Sequence, residues 1–107
     1  MDEKVITITE SNFDEVINGD KLTMIDFWAE WCGTCRMVSP ILDSIAEDFG
    51  DNIVVAKCDV DDLGFVAEKY GIRNIPAVLF IQSGEVVDRI VGANPKEKYV
   101  NKINSLI

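Results

Sequence analysis

Residues 22–29 form a run that is apolar at every position except Thr23 and Asp26. A strand with such a continuous apolar sequence is covered on both faces, as in parallel or mixed sheets flanked by helices. Helical spacing follows, with Ile41, Leu42 and Ile45 on one face. The run therefore predicts the central strand of an α/β sheet, followed by a long helix.

The rest of the chain continues this alternation of strands and helices. Strands are predicted at residues 5–9, 22–29, 53–59, 77–82 and 85–91, and helices at residues 12–17, 33–49, from 61 or 62 to 70, and from 95 onward. Ser11, Asp61 or Asp62, and Asn94 are predicted helix caps, and Ser83-Gly84 a hairpin turn. Strands joined through helices pair in parallel and a hairpin pairs antiparallel. We therefore predict a mixed sheet with helices on both faces.

Length and charge narrow the class of protein. The 107 residues are 48% hydrophobic, enough for one domain, residues 1–107, with its own core. A net charge of −9 argues against binding to nucleic acid or to an anionic membrane. Residues 1–4 show no leader pattern, and the longest apolar stretch, residues 75–81, is too short to cross a bilayer. The odd number of cysteines, three, fits a reducing compartment, and we expect a cytoplasmic protein.

Cys32 and Cys35 stand at the predicted junction between the central strand and the long helix. Cysteines at this spacing can form a disulfide without rebuilding the backbone. The free N–H groups and positive dipole end of the helix, together with Arg36, favour a thiolate on Cys32. Because a thiolate is the species that attacks a disulfide, Cys32 is the predicted nucleophile and Cys35 the resolving thiol.

A metal site is the alternative use of such a pair. Zinc takes four ligands, and the chain has no histidine. The third cysteine, Cys58, is predicted to be buried in the core. A zinc or iron–sulfur site would need a second subunit to complete it, so redox chemistry is favoured and no metal is expected.

Asp26 is the only charged residue in the central run. Strand alternation puts it on the face of Met24 and Trp28, where burial raises the pKa of a carboxyl group. It could then accept the proton of Cys35. The alternative role is an ion pair with Lys57, and the two roles are compatible. We therefore add Asp26 and Lys57 to the two cysteines as candidate catalytic residues.

Residues 27–36, FWAEWCGTCR, resemble the active-site segment of thioredoxins. The resemblance extends in order over essentially the whole chain, through Pro40, Asp59-Val60-Asp61, Tyr70-Gly71-Ile72-Arg73, Ile75-Pro76, Gly84 and Val91-Gly92-Ala93. It implies the thioredoxin fold, a mixed sheet of five strands in the order 1-3-2-4-5 flanked by four helices. It also implies reduction of protein disulfides by dithiol–disulfide exchange.

The resemblance implies a binding surface and partners as well. In thioredoxins the peptide bond before the proline matching Pro76 is cis, and the backbone at Ile75 pairs with the substrate. The matching substrate-binding residues are Trp31, Gly33, Thr34, Ile75, Pro76, Gly92 and Ala93. The family needs no cofactor beyond the cysteine disulfide, which an NADPH-dependent thioredoxin reductase reduces again. A monomer is expected.

Two positions depart from the thioredoxin pattern. Thr34 replaces the usual proline between the cysteines, which loosens the loop, and we expect a more oxidising pair. Ala77 replaces a common threonine after Pro76, which weakens docking slightly. A weaker reductant, an oxidase or isomerase, and an interaction module that needs no cysteines remain alternatives. Trp28 is a predicted core residue whose indole N–H bonds to Asp61.

Overall fold

The computed structural model describes residues 4–107 of the chain. The strands are β1 (Val5–Thr7), β2 (Thr23–Trp28), β3 (Val54–Asp59), β4 (Ala77–Gln82) and β5 (Glu85–Val91), and the α-helices are α1 (Phe13–Ile17), α2 (Cys35–Phe49), α3 (Gly64–Lys69) and α4 (Lys96–Leu106). A short 3-10 turn, Gly50–Asn52, connects α2 to β3. Residues 1–3, which include most of the segment used to argue against a leader, lie outside the described residues.

The five strands form one sheet in the order β1-β3-β2-β4-β5. The strands joined through helices, β1, β3 and β2, are parallel, whereas β4 runs antiparallel to both β2 and β5. The predicted strand order and mixed pairing are therefore confirmed. β2 lies at the centre, as its continuous apolar sequence indicated.

Alternation along β2 divides the core into two clusters, one on each face of the sheet. Met24 belongs to the cluster under α2 and α4, with Val38, Leu42, Ile45, Val55, Val78, Phe80, Tyr99 and Ile103. Ile25 and Phe27 belong to the cluster under α1 and α3, with Phe13, Ile17, Ala56, Cys58, Val66 and Leu79. Each fully buried apolar side chain stabilises the fold by about 1.5–3 kcal/mol relative to exposure. Asp26 shares the α2 face of β2 because it lies two residues after Met24.

The three predicted helix caps are wrong. Leu63, not Asp61 or Asp62, precedes α3. Ser11 does not cap α1; Asn12 precedes the helix, and its Oδ1 accepts the N–H of Thr9 at 2.7 Å. Asn94 does not cap α4, which follows Pro95; its Nδ2 donates to the carbonyl of Gly92 at 3.0 Å. In both places the amide side chain stabilises the loop before the helix.

The site predicted from the sequence lies at the end of the sheet where β2 and β3 terminate. β2 ends at Trp28 and β3 at Asp59, and β4 begins at Ala77 beside them. Cys32 therefore follows the carboxyl end of the central strand, the usual position of a site in such sheets. Across residues 4–107, none of the helices combines the length and apolar sequence of a membrane span.

Candidate active site

Cys32 and Cys35 form a disulfide at the start of α2, with their Cα atoms 5.4 Å apart. α2 begins at Cys35, so Cys32 lies in the turn before the helix, where its N–H donates to the carbonyl of Ala29 at 3.2 Å. The exposed fractions of Cys32 and Cys35 are 6% and 3%. The disulfide is therefore set into the surface and packed against the apolar side chains of Trp28 and Ile75.

Three polar groups surround the sulfur of Cys32. The backbone N–H of Cys35 donates to Sγ at 3.2 Å. The Thr34 hydroxyl lies 3.5 Å from Sγ, and the carbonyl oxygen of Ile75 lies 3.9 Å away. Two of these groups can donate a hydrogen bond to a thiolate, and donors to a charged group stabilise it.

Asp26 is buried on β2 with only 3% of its surface exposed. Its Oδ1 finds no hydrogen-bond partner among the described residues. Burial raises the pKa of this carboxyl group from 3.8 to about 7, and the positive charge of Lys57 partly opposes the rise. The predicted raised pKa is thus confirmed, and the group can take up or release a proton near neutral pH.

A cleft of about 360 Å³ is lined by both Asp26 and Cys35. Its lining comes from β2, the following turn, α2 and β3, namely Asp26, Trp28, Ala29, Glu30, Cys35, Arg36, Ser39 and Lys57. Arg36 and Ser39 are exposed, so the cleft opens to solvent on the α2 side. A cleft of this volume is large enough for several water molecules, which could carry a proton between the carboxyl group and the thiol.

Lys57 lies beside Asp26 in the register of β2 and β3. The alternative role weighed for it, an ion pair with Asp26, is wrong. The ion pairs within residues 4–107 are Lys96–Asp48 and Lys102–Asp88. The Lys57 ammonium group instead lies 5.9 Å from the centre of the Trp28 ring, a cation–π contact. Its charge acts on Asp26 across the cleft.

The indole partner predicted for Trp28 belongs to the other tryptophan. Trp31 Nε1 donates to Asp61 Oδ2 at 2.9 Å, while Trp28 Nε1 has no partner among the described residues. Trp28 ends β2 and is partly buried against the disulfide, whereas Trp31 lies in the exposed turn that faces Asp61. Trp31 is 69% exposed, so this bond orients a large apolar surface next to Cys32.

Of the predicted binding residues, Ile75 packs against the disulfide, and its carbonyl oxygen lies 3.9 Å from Cys32 Sγ. The Ile75–Pro76 peptide bond is cis, as the resemblance implied. The carbonyl of Pro76 accepts the N–H of Gly92 at 2.8 Å, which ties the end of β5 to the start of β4. Gly33, Thr34 and Ala93 are exposed, Ile75 and Gly92 partly buried, and Pro76 buried.

Cys58 takes no part in this arrangement. It is fully buried on the α1 face of the sheet, opposite to Asp26. Burial, with Asp59 and Asp26 adding to it, raises the pKa of its thiol to about 12. Within residues 4–107, no group of three His, Cys, Asp or Glu side chains is placed to hold a metal ion.

Sequence reasoning missed one residue of the site and one contact within it. Ser39 lines the cleft, and its position one helical turn after Cys35 was the available signal. Thr34 was predicted as a binding residue and as a replacement for proline, but the approach of its hydroxyl to Cys32 Sγ was not foreseen.

Comparisons with known proteins agree with this geometry. The chain matches the thioredoxin family model over residues 4–105. It is 46% identical over 104 residues to the thioredoxin of Porphyra purpurea, covering 96% of this chain and 97% of that protein. It is 42% identical over 105 residues to the thioredoxin of Chlorobaculum thiosulfatiphilum, covering 97% of each. The solved thioredoxin of Malassezia sympodialis superposes with a TM-score of 0.89 at 37% identity, covering 97% of this chain and 91% of that one. The chain therefore belongs to the thioredoxin family and is a thiol–disulfide oxidoreductase whose redox group, the Cys32–Cys35 disulfide, is part of the protein itself.

Proposed function

We propose that this chain reduces disulfides in other proteins, with Cys32 as the nucleophile and Cys35 as the resolving thiol. The observation that carries the assignment is the different surroundings of the two sulfurs. Cys32 Sγ receives the N–H of Cys35, whereas Cys35 lines the cleft that contains Asp26. One sulfur is thus placed to persist as a thiolate, and the other is placed to lose its proton on demand.

In the first step the Cys32 thiolate attacks one sulfur of a substrate disulfide. A mixed disulfide forms, and the other substrate sulfur leaves as a thiolate and takes up a proton. The rim formed by Trp31, Ile75, Pro76, Gly92 and Ala93 holds the extended substrate segment beside Cys32. Exposed apolar side chains at this rim suit a range of protein substrates.

In the second step Cys35 resolves the mixed disulfide. Asp26, ionised near neutral pH, accepts the Cys35 proton through water in the cleft. The Cys35 thiolate then attacks Cys32 Sγ, the intramolecular disulfide forms, and the second substrate sulfur leaves. In total, two electrons pass from the chain to the substrate; the Cys35 proton reaches the second leaving sulfur by way of Asp26, and the first leaving sulfur takes its proton from solvent. Lys57 limits the rise in the pKa of Asp26 and so sets the pH at which this base is available.

Recycling completes the cycle. The resemblance supports an NADPH-dependent thioredoxin reductase as the electron donor. A reducing compartment, the cytoplasm, fits the buried free thiol of Cys58. We further propose that residues 1–107 act as a single-domain monomer.

Cysteine variants test the two roles. Reduced Cys35→Ser, mixed with a protein disulfide such as that of insulin, is expected to accumulate a mixed disulfide through Cys32. Cys32→Ser is the matched control and is expected to trap no substrate. Mass spectrometry of the non-reduced products identifies the linked cysteine. Trapping through Cys35 in the Cys32→Ser variant, and none through Cys32, would refute the assignment.

A further inference from the structure

The side chain of Thr34 occupies an unusual position for a threonine before a helix. A threonine there ordinarily accepts an N–H from the first turn of the helix. Thr34 has helical backbone angles, φ −69° and ψ −25°, and its hydroxyl caps no N–H of α2. The hydroxyl instead lies 3.5 Å from Cys32 Sγ. Its orientation is therefore towards the reactive sulfur.

Reduction changes the chemistry of this contact. In the disulfide, Cys32 Sγ is a weak acceptor, and a thiol can either donate to or accept from a hydroxyl. A thiolate carries no proton, so the hydroxyl must then be the donor, and a bond to a charged acceptor is the stronger kind. The contact thus stabilises the reduced, ionised pair more than the disulfide.

We propose that the Thr34 hydroxyl donates a hydrogen bond to the Cys32 thiolate and, together with the Cys35 N–H, holds the reduced pair in its reactive form. This inference rests on the proposed function, in which Cys32 is the nucleophile. It assigns to the hydroxyl an effect that the loss of proline alone would not produce. Stabilising the reduced form makes the pair a weaker reductant, because the dithiol gives up its electrons less readily.

Three variants separate the effect of the hydroxyl from the effect of the missing proline ring. Thr34→Pro alters both at once, whereas Thr34→Val keeps the shape of threonine and removes only the hydroxyl. Thr34→Ser keeps the hydroxyl and is the rescue variant. Because Thr34 is exposed and makes no capping bond, neither substitution should disturb α2. The nearby charges of Asp26, Lys57 and Arg36 are the same in all of them.

The first measurement is the rate of iodoacetamide alkylation against pH, with the modified cysteine located by mass spectrometry. Thr34→Val is expected to raise the pKa of Cys32 by about one unit, a tenfold loss of thiolate below that pKa. Thr34→Ser is expected to stay near the parent protein. A Cys32 pKa that Thr34→Val leaves unchanged, or that both variants shift alike, overturns the proposal. Alkylation of Cys35 in place of Cys32 instead overturns the proposed function on which it rests.

The second measurement is the equilibrium of the pair with glutathione buffers of defined composition. Thr34→Val is expected to favour the disulfide by up to about tenfold, equivalent to a potential lower by about 30 mV. Thr34→Ser is expected to keep the parent equilibrium. If Thr34→Ser were as strongly reducing as Thr34→Val, the effect would come from the lost methyl group, and the role of the hydroxyl would be refuted.

Discussion

Asp26 combines almost complete burial with an oxygen that no donor in the described chain satisfies. Such a group is costly to ionise, yet its pKa of about 7 lets it exchange protons at working pH. We predict that Asp26→Asn slows the resolution of a mixed disulfide by about a hundredfold at pH 7.5, because the general base is lost. The measurement is the rate at which the second substrate thiol is released in a single turnover.

The control for this prediction is Asp62→Asn, which removes one exposed carboxylate outside the cleft. It is expected to leave the resolution rate close to that of the parent protein. The alkylation rate of Cys32 is measured in the same variants, to check that the first step is unaffected. Asp26 shares its cleft with Cys35 and not with Cys32. Equal rates for Asp26→Asn and Asp62→Asn would exclude Asp26 as the base.

At the scale of helices and strands, the sequence pattern identified every α-helix and β-strand of the described chain but not the 3-10 turn Gly50–Asn52, and the other errors lie at boundaries. The strand predicted for residues 5–9 ends at Thr7, since the side chain of Asn12 folds back to bond the backbone of Thr7 and Thr9. The helix predicted from residue 33 begins at Cys35. Such local side-chain bonds compete with regular structure and leave no periodic signal.

The site was predictable to a similar degree. The cysteine pair and Asp26 stand out by residue type and by their position on or just after the central strand. The order of the strands, the cis bond before Pro76 and the binding rim came from the family resemblance. Long-range pairing depends on contacts between distant residues, and the propensity of each segment does not encode it. Asp61 was predicted to bond to Trp28 and bonds to Trp31 instead. This error too concerns a contact between residues distant in the sequence.

The hairpin between β4 and β5 depends on Gly84. Its φ is +83°, and a Cβ added there would lie 2.7 Å from Asn18 Oδ1. Asn18 cannot move freely, because its Nδ2 donates to the carbonyl of Asp14 at 2.8 Å. We predict that Gly84→Ala lowers the free energy of unfolding by about 1–3 kcal/mol, from backbone strain and the lost contact. Urea unfolding measures the difference.

Gly19→Ala is the matched control for the hairpin variant. A Cβ at Gly19 meets nothing within 4 Å, and its φ lies outside the left-handed region. Its stability is expected to change by no more than about 0.5 kcal/mol. A Gly84→Ala protein as stable as Gly19→Ala would show that the hairpin tolerates a side chain at this turn.

For the whole molecule, the buried carboxyl group links redox chemistry to stability. The unfolded chain loses the Asp26 proton near pH 3.8, whereas the folded chain keeps it to about pH 7. Between these values the folded state binds the extra proton, so its stability falls as the pH rises. At about 1.4 kcal/mol per pKa unit, the loss on full ionisation is about 4 kcal/mol. The lowered pKa of Asp88, bonded to Lys102, acts in the opposite direction and only at acidic pH.

We therefore predict that Asp26→Asn becomes progressively more stable than the parent protein between pH 4 and pH 8, and that the difference is constant above pH 8. Urea unfolding of the oxidised proteins across this range measures it, and comparing the two cancels the contributions of Asp88 and of the other carboxylates. Asp62→Asn is the control, and its difference from the parent is expected not to vary in the same way. Parallel stability curves for Asp26→Asn and the parent would mean that Asp26 ionises in the folded protein as it does in the unfolded chain. A carboxylate with an ordinary pKa is a much weaker base towards the Cys35 thiol, so that result would count against the role proposed for Asp26.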